Sequence, residues 1–498
     1  FNTAPTRVGT AIVVHSIAVA AFIMLGAKLG QRLGSTRVFQ WASGLLLVSS
    51  VMVALSPDMT LLIVAQGLAG VGAAMILPAL VVLVADNYSG RQKARAIGIL
   101  GAVQAGATVA AFFLAGAMGA SLGWRWAFGL IVPLAAITCW LSRRLRHVPP
   151  VAGIEIDGVG VVLCALSMAL VSLGFVNVTA WGVLLASPTA PVSLFGLSPA
   201  FLMILAGLFG IQLFLAWCQR RRRLRRTPLL ALEVLHSRAE RTAVVSLMAI
   251  VVIGSGLNFL VPLYIQMVQG RNSLETAAAL VPYQLAVLAA SLLVVGLYDR
   301  VSPRRLARGS FAMVAIAMVV LAATMRYAWG DLLVVASLVV VGLGQGTLLT
   351  LLFSLLLAAA PQHLVGDVGA LRGAARNLAN AVGTALSGAL VVGLLGANIQ
   401  RQVEQHPLIP ASLIAQVNLD RPAFLNNEQL DAVVAKTTAT PAQAEVAAQI
   451  NADARLRSLK LALMFLAGLS LLMIVPAGGL PGAVGWPATR PVSSSGTP

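Results

Sequence analysis

Long apolar runs alternate with short polar, mostly basic, segments from one end of the chain to the other. Thirteen runs stand out: Val8–Leu25, Val38–Ser56, Leu61–Ala85, Ala96–Ala120, Trp126–Ser142, Val159–Val176, Pro199–Trp217, Thr242–Ile265, Thr276–Leu297, Ala307–Met325, Leu332–Ala359, Val368–Leu395 and Leu459–Pro476. Runs of roughly 18 or more apolar residues carry an α-helix across the ~30 Å hydrocarbon core of a bilayer. The pattern therefore predicts an all-α membrane protein of about 13 spans. Two stretches break it. RRRRLRR (Arg220–Arg226) reads as a plain topogenic stop or as a site for anionic lipid headgroups. Ala397–Ser458 reads as polar helices outside the membrane, with Thr440, Pro441 and Gln443 in the order of a helix cap.

Composition agrees. The 498 residues are 59% hydrophobic and only 10% charged, far below the roughly 25% charged residues of a soluble domain. The net charge of +18 raises the question of nucleic acid, but the basic residues are confined to loops between spans. Alternate loops carry Lys28, Arg32 and Arg37; Arg91, Lys93 and Arg95; Arg143, Arg144 and Arg146; the Arg220–Arg241 stretch; Arg300 to Arg308; then Arg372 and Arg376. By the positive-inside rule these loops and the C-terminus face the cytoplasm. Cys139, Cys164 and Cys218 lie scattered inside apolar runs, which excludes a disulfide framework or a cysteine metal site.

One loop type is used twice. GAKLGQRLGSTR (Gly26–Arg37) and GLYDRVSPRR (Gly296–Arg305) each place basic charge around a tight-turn residue after an apolar run. The repetition suggests a duplicated helix-loop-helix unit and two related halves. Arg32, Gly34, Arg37, Asp299, Arg300 and Arg304 are the candidate gating residues of these loops.

Within the spans, small residues at four-residue spacing (Ala102, Gly106, Ala110; Ala379, Gly383, Ser387) mark faces where helix backbones approach closely. The polar side chains at mid-depth are His15, Gln66, Gln104, Asn258, Gln266, Tyr283, Gln284, Gln345, Arg376, Asn377 and Asn380. Any one amide can be an interhelical hydrogen bond worth ~0.6 kcal/mol. Recurrence at one depth in several helices points to a shared site near the bilayer midplane. His15, Gln66, Gln104, Asn258, Gln284, Gln345, Arg376 and Asn377 are the candidate substrate-binding residues. His15 is the group among them that titrates near neutral pH. The histidines (His15, His147, His236, His363, His406) have no metal-site spacing, so neither a metal nor a cofactor is expected.

Taken together the residues resemble the fourteen-helix drug:proton antiporter branch of the major facilitator superfamily. The loop Gly26–Arg37 resembles that superfamily's signature between its second and third helices. Gly67–Ala79, Gly123–Phe128, Pro262–Gly270 and Gly342–Leu386 resemble stretches typical of the branch, in the right order. The resemblance implies two pseudo-symmetric bundles, residues 1–146 and 242–498, with two inserted helices and a basic loop at 147–241. It places residue 1 after the family's first helix. It implies a monomeric transporter of the bacterial inner (plasma) membrane, exporting small hydrophobic or amphipathic molecules in exchange for protons, with membrane lipids as its surroundings. Departures are specific: Gln31 stands for the signature's Asp, Ala27 for its Gly, and Gln66 for an Arg linked to proton coupling. Those departures keep open a membrane sensor or scaffold with a transporter-like fold that no longer transports. A membrane enzyme would need an acidic or histidine cluster at a membrane face, and the sequence offers none.

Overall fold

The computed structural model describes residues 5–483 apart from 89, 122–123, 152, 189, 236, 299, 327–331, 362–363 and 406–439. The described residues form helices α1 (Pro5–Leu33), α2 (Ser35–Ala54), α3 (Met59–Asn87), α4 (Gly90–Ser121), α5 (Trp124–Gly129), α6 (Ile131–Ser142), α7 (Gly158–Trp181) and α8 (Pro199–Arg223), followed by α9 (Arg238–Leu263), α10 (Ser273–Leu297), α11 (Pro303–Thr324), α12 (Leu332–Ala359), α13 (Val365–Gln405) and α14 (Pro441–Leu472). Among them eleven are long and apolar enough to cross a membrane, so the chain is a multi-pass membrane protein. The two other expected spans fall on the 32-residue α4 and on the pair α5–α6. That pair is one run in sequence and two helices in space. Pro133 has no N–H to give the carbonyl of Gly129, and the ladder breaks there.

Helices α1, α2, α3 and α6 pack on one another, and α9 to α14 form a second group around the largest buried core. Helices α7 and α8 pair with each other, and α7 rests on α1 and α13. The two groups meet along α1 and α3 against α13, and α4 packs chiefly on α10. At Gly98 the α4–α10 approach is so close that a Cβ would stand 2.7 Å from the Ser291 carbonyl oxygen. Only glycine allows that spacing. At the basic end, Asp157 caps α7, accepts hydrogen bonds from Trp217 at 2.9 and 3.1 Å and lies 3.6 Å from Arg221. Two arginines of the RRRRLRR run are thereby placed in ion pairs: Arg221 with Glu155 and Asp157, and Arg222 with Glu233.

Three expectations need correction. GAKLGQRL is not a loop: α1 continues to Leu33, and the reversal into α2 takes the single residue Gly34 at φ 92°. A left-handed φ costs glycine nothing, which is why so short a turn forms. Lys28 therefore lies on a helix face rather than in solvent. Likewise Arg372 and Arg376 are not loop charges, because α13 starts at Val365 and carries both inside a span. The segment 397–458 also differs where it is described. Its first residues extend α13 to Gln405, and from Pro441 it is the start of α14, which runs without interruption into the last span. The expected cap is present: Gln443 N donates to Thr440 Oγ1 at 3.4 Å, and Thr440 N donates to Gln443 Oε1 at 2.9 Å. Along it, buried Arg455 docks α14 on the π-helical turn after α9, its Nη1 donating to the Met267 carbonyl at 2.8 Å.

Candidate functional site

The contact between α1 and α13 is sealed at the basic end by a buried polar cluster. Lys28 Nζ lies 3.0 Å from Asp367 Oδ2 and also donates to Gln31 Oε1 at 3.0 Å. Gln31 Nε2 donates to Asp367 Oδ1 at 3.1 Å, and the backbone N–H of Ala231, in the segment after α8, reaches Oδ2 at 3.2 Å. The side chains of Lys28 and Asp367 are 5% and 1% exposed, so water cannot take over these bonds while the contact holds. The cluster joins the first helix, the inserted pair's exit segment and the second group of helices in one network. Asp367 sits in the first turn of its helix, where the backbone N–H groups favour negative charge.

Beyond this seal, three hollows follow one another. The first, about 170 Å³, is lined by α4 (Ile97, Gln104, Thr108), α10 (Tyr283, Gln284, Ser291), α12 (Gln345, Phe353), α13 (Arg372, Arg376) and Asn258 of α9. The second, about 380 Å³, shares Asn258, Gln345 and Arg376 with it and adds Ser255 and Asn380. The third, about 320 Å³, shares Phe259, Asn380 and Thr384 with the second and is walled by α1, α7 and α13 as far as Thr179 and Gly388. The series thus runs from mid-depth toward the end opposite the basic loops. Gln104 lies fourteen residues into α4, roughly 21 Å along the helix, which sets the first hollow near the middle of a bilayer.

Inside it, Arg376 Nη1 donates to Gln104 Oε1 at 2.6 Å across the contact between α13 and α4. The Arg372 guanidinium lies 4.0 Å over the Phe353 ring. Buried Tyr283 donates its hydroxyl hydrogen to Gln345 Oε1. Asn258 and Asn377 each give one amide hydrogen to a carbonyl one turn earlier, at 2.9 Å, and line the hollows, and the Asn258 side chain also hydrogen-bonds the Tyr283 hydroxyl.

Of the sequence's candidates, Gln104, Asn258, Gln284, Gln345, Arg376 and Asn377 line these connected hollows. His15 and Gln66 are placed elsewhere, at the contact of α1 with α3, where His15 Nδ1 donates to the Gln66 carbonyl at 3.3 Å. Val13, Ser16 and Ile17, beside His15 on α1, do line the third hollow. Among the loop candidates, Gly34 makes the one-residue turn, and Arg32, Arg37 and Arg300 face outward. Arg304 donates from Nε to the Leu480 carbonyl at 3.0 Å and holds the stretch after α14. Asp299 lies outside the described residues. Lys28, Gln31, Asp367 and Arg372 were missed as site residues. A helical reading of Lys28 and Gln31 would have put them one turn apart on a single face, and Asp367 was visible as an acid opening an apolar run.

The Major Facilitator Superfamily profile matches residues 1–384. The chain belongs to that superfamily. Relatives include proteins of Mycobacterium tuberculosis and Streptomyces coelicolor. It is 24% identical over 409 residues to the multidrug resistance protein Stp of Mycobacterium tuberculosis, covering 82% of this chain and 73% of that one. It is 24% identical over 401 residues to a probable actinorhodin transporter of Streptomyces coelicolor, covering 78% and 67%. The match to the uncharacterised MFS-type transporter Rv1250 of M. tuberculosis is 26% identical over 325 residues, 63% of this chain and 52% of that one. The chain thus spans only about half the length of some superfamily relatives. In structure it is similar to the human organic anion transporter MFSD10, with a TM-score of 0.57 at 13% identity, covering 94% of this chain and 83% of that one. That likeness is one of fold, and it fits this superfamily member's two packed groups of helices.

Proposed function

We propose that the protein transports small amphipathic molecules by alternating access, its two helix groups rocking about the chamber between them. The observation that carries this is the chamber itself. Amides and arginines from α4, α9, α10, α12 and α13 converge on it at mid-depth, and we take the buried Lys28–Asp367 cluster as what closes it at the basic end. With the basic end in the cytoplasm, this is a state closed to the cytoplasm, and the substrate leaves outward. Relatives named for multidrug resistance and for actinorhodin transport support export as the direction. We take the two groups, residues 1–146 and 242–498, as the moving units, with 147–241 as the inserted helices that brace α1 and α13, and a single copy in the bacterial inner membrane as the working form.

Gln31 belongs to the seal rather than marking its decay, since the negative charge of the seal comes from Asp367. Transport therefore remains the reading, ahead of a transport-deficient sensor. Proton exchange needs a titratable group in the membrane, and His15 at the α1–α3 contact is our candidate. In proteoliposomes that hold the protein inverted, with its basic end facing the bath, uptake of a fluorescent amphiphile should saturate and should depend on pH. His15→Gln should displace that pH dependence while leaving the protein amount unchanged. Uptake indistinguishable from protein-free vesicles at every pH would refute transport.

A further inference from the structure

We propose that the chamber selects anions: its occupant carries a carboxylate, sulfonate or phosphate that lies between Arg372 and Arg376. This rests on the chamber being a binding site, and it names the chemical class that the site takes. Both guanidiniums line the first hollow, one helical turn apart on α13. Among the described residues neither has a carboxylate within ion-pair distance. The ion pairs there use Lys28, Arg221 and Arg222. Asp367, the acid that shares their helix, is already held by Lys28, Gln31 and the Ala231 amide. Arg376 spends one of its five N–H donors on the neutral Gln104, and Arg372 rests on the face of Phe353, which leaves the in-plane edge of its fork open.

Two like charges at i, i+4 repel each other, and an arginine at mid-bilayer is costly unless it is paired. A chamber that keeps two such groups uncompensated has a place for an anion, and it repels a cation by the same field. Planar guanidiniums recognise carboxylate and phosphate by paired hydrogen bonds. The amide lining of Asn258 and Gln284 and the hydroxyl of Thr350 suit a polar head, while Val287, Leu349 and Phe353 suit an apolar body. The same anionic chemistry is present in a soluble amphiphilic acid and in the headgroup of an acidic lipid.

The test uses the full chain in phosphatidylcholine nanodiscs and three radiolabelled probes of one shape: naphthoate, naphthamide and naphthylmethylammonium. Naphthoate should bind roughly tenfold or more tightly than the amide, and the ammonium should show no saturable binding. Arg372→Gln and Arg376→Gln should each lower naphthoate affinity about tenfold, and Arg372→Lys should restore part of it. Ammonium binding as tight as naphthoate binding in the unaltered protein would overturn the proposal, whatever the variants do. So would unchanged naphthoate binding in Gln variants that melt and elute like the parent. Discs enriched in phosphatidylglycerol separate the sources: competition assigns the site to a lipid headgroup, and undiminished naphthoate binding assigns it to a soluble acid. Anion binding without flux would leave this inference standing and remove the transport reading, whereas flux of the ammonium probe would do the reverse.

Discussion

Replacing Asp367 by Asn should open the basic end. The substitution keeps the shape of the side chain but removes the negative charge that Lys28 Nζ meets at 3.0 Å. Lys28 would remain on a helix face where only 5% of its side chain is exposed, with only neutral amide oxygens to accept its hydrogen bonds and no counter-charge. Removing one partner of a buried ion pair costs about 3–5 kcal/mol, chiefly because the other charge is stranded. That cost falls on the closed arrangement alone, since parting α1 from α13 returns Lys28 to water. A penalty of ~3 kcal/mol is a shift of about a hundredfold in the open-to-closed ratio. The assay reads Ser291→Cys, 1% exposed beside the α4–α10 contact, in a Cys139→Ser background. A membrane-impermeant maleimide supplied from the basic side should label it slowly in the parent and at least tenfold faster with Asp367→Asn, if even half of the expected free energy acts on this equilibrium. The double variant Lys28→Met, Asp367→Leu should label more slowly than Asp367→Asn, because it strands no charge. Equal labelling rates in all three proteins would refute the idea that this pair holds the end shut.

Further outcomes follow from single positions. Gly34→Ala should lower the melting temperature, because φ 92° costs a residue with a Cβ about 1–2 kcal/mol and the new Cβ would meet the Val148 carbonyl at 2.7 Å. Gly98→Val should push α4 from α10 and give fast basic-side labelling at Ser291→Cys even with Asp367 intact; slow labelling would show that the α4–α10 spacing does not matter to closure. For topology, a cysteine replacing Phe195, 95% exposed between α7 and α8, should label from outside the cell, and one replacing Arg226 from the cytoplasm. Labelling of both from one side would overturn the orientation read from the loop charges.

The spans were legible because apolar length is a local signal, and so was the Thr440 cap, whose donors and acceptors lie within four residues. The chamber was legible in part. Amides at one depth could be picked from Gln104, Asn258, Gln284 and Gln345 without knowing which helices touch. His15 and Gln66 have the same local appearance, yet His15 faces the backbone of α3 and neither lines these hollows, and only packing distinguishes the two cases. The seal was not legible. Lys28 sits beside Arg32 in a basic stretch, and what makes it a buried partner rather than a surface charge is an aspartate 339 positions away. Asp367 likewise looks like an edge residue until α1 covers it. The break between α5 and α6 was present in the sequence as Pro133, hidden by the continuity of the apolar run around it. Arg455 of α14 donates to the Met267 carbonyl, a contact that no window of sequence displays.

The most direct test of alternating access compares the two ends of the bundle at once. Spin labels at Arg37 and Arg308, both exposed at the basic end on different helix groups, report closure there. Labels at Leu55 and Leu332, 73% and 82% exposed at the other end, report closure on the opposite side. Pulsed dipolar spectroscopy on the protein in nanodiscs should show two distance populations for each pair. Asp367→Asn should shift them in opposite senses, longer at Arg37–Arg308 and shorter at Leu55–Leu332. A single fixed distance at both ends, the same in the parent and in Asp367→Asn, would contradict a rocking transporter.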